Sequence, residues 1–291
     1  MVAPIALLLH AGARISPASF TVHPSTVIGI VGLGLLYEHG ARVAARGEQH
    51  QSHQSPAATT PQRHHRVCYY AGLAAMFFSL NGWLHDLSDG YLFSAHMVQH
   101  LMLAFVVAPL MIMGTTGPML RPLLRLRGVA AAARWVTRPV RSFAIFNVVV
   151  AGWHLPPLYN YALAHHPIHI VQHLMFLAAS VVMWWPVLSP LPELPRLSYP
   201  GQMLYLFLMT IPMAIVSVYI AYSDSLLYPM YAAAPRVWGI SPMDDQMIGG
   251  LIMWIPGGLY FYAIISVIFF RWQQRDGVET AAGAQVDWRP V

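Results

Sequence analysis

Lysine is absent from this sequence of 291 residues, cysteine occurs once, and charged residues make up only 9% of the chain. A soluble domain carries about 25% charged residues, so the polar shell that keeps a globular fold in water is missing. The same shortage of charge, beside 57% hydrophobic residues and a mean hydropathy of +0.52, excludes a chain that is disordered throughout. A single cysteine, Cys68, leaves no intramolecular disulfide and no CxxC metal or redox motif. Any bound metal must use other ligands, and fifteen His and sixteen Met residues can supply them.

What is present is apolar sequence in long runs. Seven stretches approach the roughly 20 residues needed to cross a hydrocarbon core, near 24–41, 67–84, 95–115, 142–162, 167–187, 201–222 and 246–270. The expectation is an all-α polytopic membrane protein in the lipid bilayer. It has an N-terminal segment 1–23, a seven-helix membrane domain 24–270 and a C-terminal tail 271–291. All sixteen basic residues are Arg, and they gather between alternate spans. Arg42, Arg46, Arg63, Arg66, Arg121, Arg125, Arg127, Arg134, Arg138, Arg141, Arg196, Arg271, Arg275 and Arg289 fall on one side, against Arg14 and Arg236 on the other. Cytoplasmic loops collect positive charge, so the N-terminus is expected outside and the C-terminus in the cytoplasm. The formal net charge of +5 therefore reflects topology and does not call for nucleic acid as a partner. Met1 to Gly12 is apolar but has no basic segment before it, and reads as an extracytoplasmic or interfacial piece rather than a cleaved signal.

The connection 42–66 contains a polar, Pro-bearing tract with His50, His53, His64 and His65. Its composition suits a flexible cytoplasmic linker, and a tract without fixed geometry is a poor metal site, so these histidines stand outside the candidate centre.

An internal echo places the other histidines. His96-Met97-Val98-Gln99-His100-Leu101-Met102 opens the third span, and His169-Ile170-Val171-Gln172-His173-Leu174-Met175 opens the fifth, identical at six of seven positions. Upstream lie Gly82-Trp83-Leu84-His85 and Gly152-Trp153-His154, so spans two and three are expected to recur as spans four and five. Histidines four apart on a helix share one face, and both pairs enter their spans from the outer side. Polar residues within a span mark a site by default. The expected metal ligands are His96, His100, His154, His169 and His173, with His85 and Met247 as weaker members.

Both H-x-x-x-H runs have the spacing of zinc peptidases, but Met97 and Ile170 stand where those enzymes carry the general-base Glu. Intramembrane proteolysis is therefore not expected, and the chain is read as a non-enzyme. Haem needs imidazoles on opposite faces of one macrocycle, whereas i,i+4 residues share a face, so a small ion fits better; pairing across helices keeps haem open. Imidazole suits copper and zinc, and thioether selects Cu(I). Met97, Met102, Met243 and Met247 near the outer ends, with Met209 and Met213 in span six, favour copper. Asp245, in Met243-Asp244-Asp245-Gln246-Met247, is either a ligand, an orienting group for an imidazole or a helix cap, with Asp244 the better capping candidate.

Several motifs resemble the CtaG family. They are HMVQHLM followed by Ala108-Pro109-Leu110 and Gly114, Trp153-His154-Leu155-Pro156 with Leu158-Tyr159, the second H-x-x-x-H, Trp184-Trp185-Pro186, and Asp245-Gln246 with Gly250 and Met253-Trp254. The resemblance runs from about Arg66 to Arg271. It implies a seven-span bacterial plasma-membrane protein that assists assembly of caa-type cytochrome c oxidase. It further implies delivery of copper, accepted from an extracytoplasmic donor, to subunit I or an assembly intermediate. The family's motif residues fall on His96, His100, His154, His169, His173 and Asp245; His85 is not among them. A haem-binding redox protein and a copper transporter remain the alternatives. LMLAFVVAPLMIM below His100 and LMFLAASVVMWW below His173 offer no polar track for transport.

Overall fold

A computed structural model describes residues 20–49 and 61–284. The described residues form helices and no strand. In chain order these are α1 Pro24–Gln49, α2 Arg63–Leu80, α3 Gly82–Gly90, α4 Phe93–Leu101, a π-helix Met102–Val107, and α5 Ala108–Gly114. There follow α6 Gly117–Leu124, α7 Val129–Val136, α8 Pro139–His154, α9 Pro156–Ala164, α10 His166–Leu188, α11 Tyr199–Ala221, α12 Pro229–Ala233 and α13 Pro242–Ala284.

Five helical spans are long and apolar enough to cross a membrane: Pro24–Arg46, Phe93–Gly114, His166–Leu188, Tyr199–Ala221 and Pro242–Asp276. The pair α2 and α3, bent by 42°, makes six. The bend lies at Asn81, whose backbone is extended (φ −142°, ψ 163°) and whose side chain donates to Phe77 O at 3.0 Å. The expected span 142–162 is not one helix. Leu155 precedes Pro156, a position that disfavours helical ψ, and it is extended (ψ 128°). The remaining α8 has 16 residues, which reach about 24 Å against a core of about 30 Å.

Two expected boundaries also move. Helix α1 continues to Gln49 and α2 already begins at Arg63, so both ends of the expected linker 42–66 are helical. Helix α13 runs on to Ala284, past the expected tail boundary at residue 270. Most of the N-terminal segment 1–23, the histidines His50 and His53, and residues 285–291 lie outside the described residues.

The order long helix, break, nine-residue helix, long span occurs twice, as α2, α3 and the span Phe93–Gly114, and as α8, α9 and α10. The Gly-Trp echo does not keep its place in it. Gly82 and His85 lie on the short helix after the break, whereas Gly152 and His154 end the long helix before it.

Lipid is as apolar as a protein core, so packing and hydrogen bonds hold such helices together. Trp184, Met183, Leu206, Met209 and Phe261 are buried at the centre. Large apolar side chains such as Ile28, Val140 and Val148 face outward. Helix α13 reaches α4 and α11 closely because it carries Gly249 and Gly250. A Cβ at Gly249 would stand 2.3 Å from Phe93 Cδ1, and one at Gly250 would stand 2.8 Å from Ser217 O.

The π-helix follows directly on His100. Pro109 has no N–H to offer Phe105 O four residues earlier. Tyr260 OH donates to that carbonyl at 2.5 Å instead, while Trp184 Nε1 donates to Ala104 O at 2.8 Å. Such π segments are frequent beside functional sites.

Candidate metal centre

His96 lies three residues into the helix that opens at Phe93, and His169 lies three residues into the helix that opens at His166. The two H-x-x-x-H pairs therefore enter the bundle from the same end and meet. The His96 and His169 rings stack with centroids 5.3 Å apart, and those of His100 and His173 are 5.4 Å apart, edge to face. Within the first pair, His96 Nε2 and His100 Nε2 are 2.9 Å apart.

Two groups have metal-ligand spacing. Ligand atoms of His96, His100 and His173 all lie within 4.8 Å of one another, as do those of Asp89, His96 and His169. The donors suit a cation. His96 Nδ1, His100 Nδ1, His154 Nε2, His169 Nε2 and His173 Nε2 are buried with no hydrogen-bond partner. Buried polar atoms are nearly always paired, and five unpaired imidazole nitrogens at one end of a bundle are the donor set a metal ion would satisfy.

His154, at the end of α8, presents its ring 6.0 Å from that of His100 and engages Val150 O through Nδ1 at 2.7 Å. It borders the cluster without belonging to either tight group. His85 stands further out. Its Nε2 is 3.5 Å from Asp89 Oδ2 and its Nδ1 is 3.2 Å from Gln99 Nε2, which also donates to Ser79 O at 2.8 Å.

Asp89 is the residue that the sequence reading missed. Its Oδ2 is 3.3 Å from His169 Nδ1 and its Oδ1 is 3.9 Å from His96 Nδ1. The available signal was His85-x-x-x-Asp89, the same i,i+4 spacing as the histidine pairs.

Asp245 belongs to neither ligand group. It is buried, and it accepts from Phe93 N at 2.7 Å, Ser94 N at 3.1 Å and Ser94 Oγ at 2.5 Å. It thus caps α4 from a neighbouring helix, satisfying N–H groups that a helix start leaves open, and fixes the helix that carries His96 and His100. The cap of α13 itself is Ser241, whose Oγ accepts from Asp244 N at 3.1 Å and donates to Asp244 Oδ2 at 2.7 Å.

Met97 packs with Phe93, Tyr159 and Tyr228 on another face of α4, Met209 and Met213 lie in the central core, and Met243 and Met247 are exposed. His64 and His65 occupy the first turn of α2, where His65 Nδ1 accepts from Gln62 N at 3.2 Å. Aromatic side chains cover the end of the bundle beside the cluster. Tyr159 and Tyr231 hydroxyls are 3.0 Å apart, Tyr231 OH donates to Ser88 O, and Tyr228 OH donates to His154 O, each at 2.8 Å.

The sequence profile of a family described as cytochrome c oxidase caa3 assembly factor, Caa3_CtaG, matches residues 36–275. Among curated proteins, an uncharacterized protein of Mycobacterium bovis is 22% identical over 226 residues, covering 72% of this chain and 34% of that protein. An uncharacterized protein of Mycobacterium leprae is 23% identical over 231 residues, with the same coverage. The chain thus spans about a third of the length of the curated relatives it matches. No solved structure matches it significantly. With most of its length under the profile, the chain belongs to the Caa3_CtaG family of cytochrome c oxidase caa3 assembly factors.

Proposed function

From that membership, we propose that the chain is a seven-span protein of the bacterial plasma membrane that holds copper in its histidine cluster. In this reading it aids insertion of copper into the catalytic subunit of cytochrome c oxidase, without turnover of its own. The observation that carries the proposal is the convergence of His96, His100, His169 and His173 from two spans, each with an unpaired buried ring nitrogen. The seventh span is α8 continued past its break by α9. The arginine distribution supports an outer position for the cluster, because the helix ends away from it carry Arg42, Arg46, Arg121 and Arg125. The doubled helix order supports the internal repeat.

Copper here is cargo, accepted from an extracytoplasmic donor and passed to an oxidase subunit or assembly intermediate docked beside the outer end. Neutral imidazoles are exchangeable ligands for copper, and His96, His100, His169 and His173 would hold the ion. Asp89 would orient His169, a service that carboxylates commonly perform for ligating imidazoles. The copper reading rests on family and imidazole chemistry. Across the two helices the His96 and His169 rings are 5.3 Å apart and those of His100 and His173 5.4 Å apart, closer than imidazoles on opposite faces of one macrocycle, which supports a small ion over haem. Below the cluster stands the apolar core around Trp184 and Phe261, which supports holding the ion over transporting it.

The test is a His96→Ala/His100→Ala chain expressed in place of the original. Loss of two ligands is expected to lower copper affinity by about 100-fold or more, and the oxidase purified from those cells should be depleted of copper. Normal oxidase copper content with the variant present in the membrane would contradict the proposal.

A further inference from the structure

A cavity of about 170 Å³ lies between α1 and α10, beside the cluster. Its polar lining is dominated by five histidines, His23, His85, His166, His169 and His173, and the rest is mostly aliphatic, including Ile30, Leu33 and Leu177. Exposure falls across it: His166 is exposed, His23 is half-buried, and His85 and His169 are buried.

We propose that this cavity, with His23 and His166 at its mouth and His169 and His173 on its inner wall, is the route by which a metal ion reaches the buried cluster. The proposal rests on the reading that the cluster binds metal. Three observations carry it. The His23 ring packs edge-on against His85 with centroids 4.4 Å apart, which places an imidazole from the start of α1 next to the residue that touches Asp89. A single carboxylate oxygen, Asp89 Oδ2, lies 3.5 Å from His85 Nε2 and 3.3 Å from His169 Nδ1, joining the outer histidines to the inner ones. On the inner wall, the Nε2 atoms of His169 and His173 are buried and unpaired.

An ion moving inward exchanges one neutral imidazole for the next, with Asp89 balancing its charge. No electron moves and no covalent bond of the protein breaks. The aliphatic wall offers no competing ligand.

Two variants test the route without touching the cluster. His23→Ala/His166→Ala removes the outer imidazoles, and the bond from His23 N to Asn81 Oδ1 at 2.7 Å, made by the main chain, is kept. Gly29→Phe fills the cavity, and a Cβ there meets nothing within 4 Å. Full-length protein in lipid nanodiscs is mixed with Cu(I) buffered by a weak chelator. Loading and chelator-driven release are followed in time, and bound copper is measured at equilibrium. Both variants are expected to reach the wild-type copper content while loading and release slow by roughly tenfold or more. Wild-type rates in both would overturn the route while leaving the metal cluster standing. Absence of bound copper in the wild type at equilibrium is a separate result, and it would remove the cluster reading and this inference together.

Discussion

The two H-x-x-x-H pairs share their spacing and six of seven residues, yet the protein treats them differently. The helix of His96 and His100 is capped through Asp245 from α13, and Gln99 between the histidines is tied to Ser79 and His85. His100 is stacked on Phe176 with centroids 4.2 Å apart. The helix of His169 and His173 begins with no side-chain cap. Gln172, the counterpart of Gln99, has both amide atoms buried and unpaired, and both histidines border the cavity. One motif is held rigidly and the other stands beside open space. The proposed holding and release of an ion would draw on both conditions, one from each motif.

The largest effect that tests this contrast comes from removing either pair. His96→Ala/His100→Ala is expected to abolish copper retention through desalting. His169→Ala/His173→Ala should retain some copper, with affinity lowered by more than the roughly 100-fold that loss of an outer-shell partner can cost and faster release to a chelator. Equal loss in both variants would break the comparison. Next in size is Asp245→Ala, which strips the cap and leaves buried N–H groups unpaired. It should cost about 3 kcal/mol, read as a lower unfolding temperature of metal-free protein in detergent.

A smaller effect separates the two glutamines. Gln99→Leu loses its bonds to Ser79 O and His85 and should destabilise the protein by about 1–2 kcal/mol. Gln172→Leu removes an amide that has no partner and should be neutral or stabilising. Matching unfolding shifts in the two variants would show the asymmetry to be false. The smallest effect is expected from His64→Ala/His65→Ala, which should leave bound copper unchanged in elemental analysis, because those rings lie in the first turn of α2, at the opposite end of that helix from the cluster.

Much of the site was legible because i,i+4 spacing and hydropathy act locally. The histidine pairs, their common depth and most spans follow from helix geometry alone. Asp89 was hidden because 67–84 reads as one straight apolar run, whereas the bend at Asn81 starts a new helix that carries His85 and Asp89 back over the cluster. Asp245 could be read as a ligand or as a cap, and only the packing of α13 against α4 shows which helix it caps. The first of the methionines is turned away for a geometric reason. Met97 follows His96 by one residue, about 100° around the helix, and so faces α13 through Gly249 instead of the imidazoles. The break after His154 was written in Leu155-Pro156, but hydropathy alone runs straight across it.

The most direct measurement is X-ray absorption at the copper edge on copper-loaded full-length protein, with the His96→Ala/His100→Ala variant alongside. The account predicts bound copper with only nitrogen or oxygen neighbours at about 2.0 Å, and none retained in the variant. A sulfur neighbour near about 2.3 Å, or copper bound equally by the variant, would contradict it.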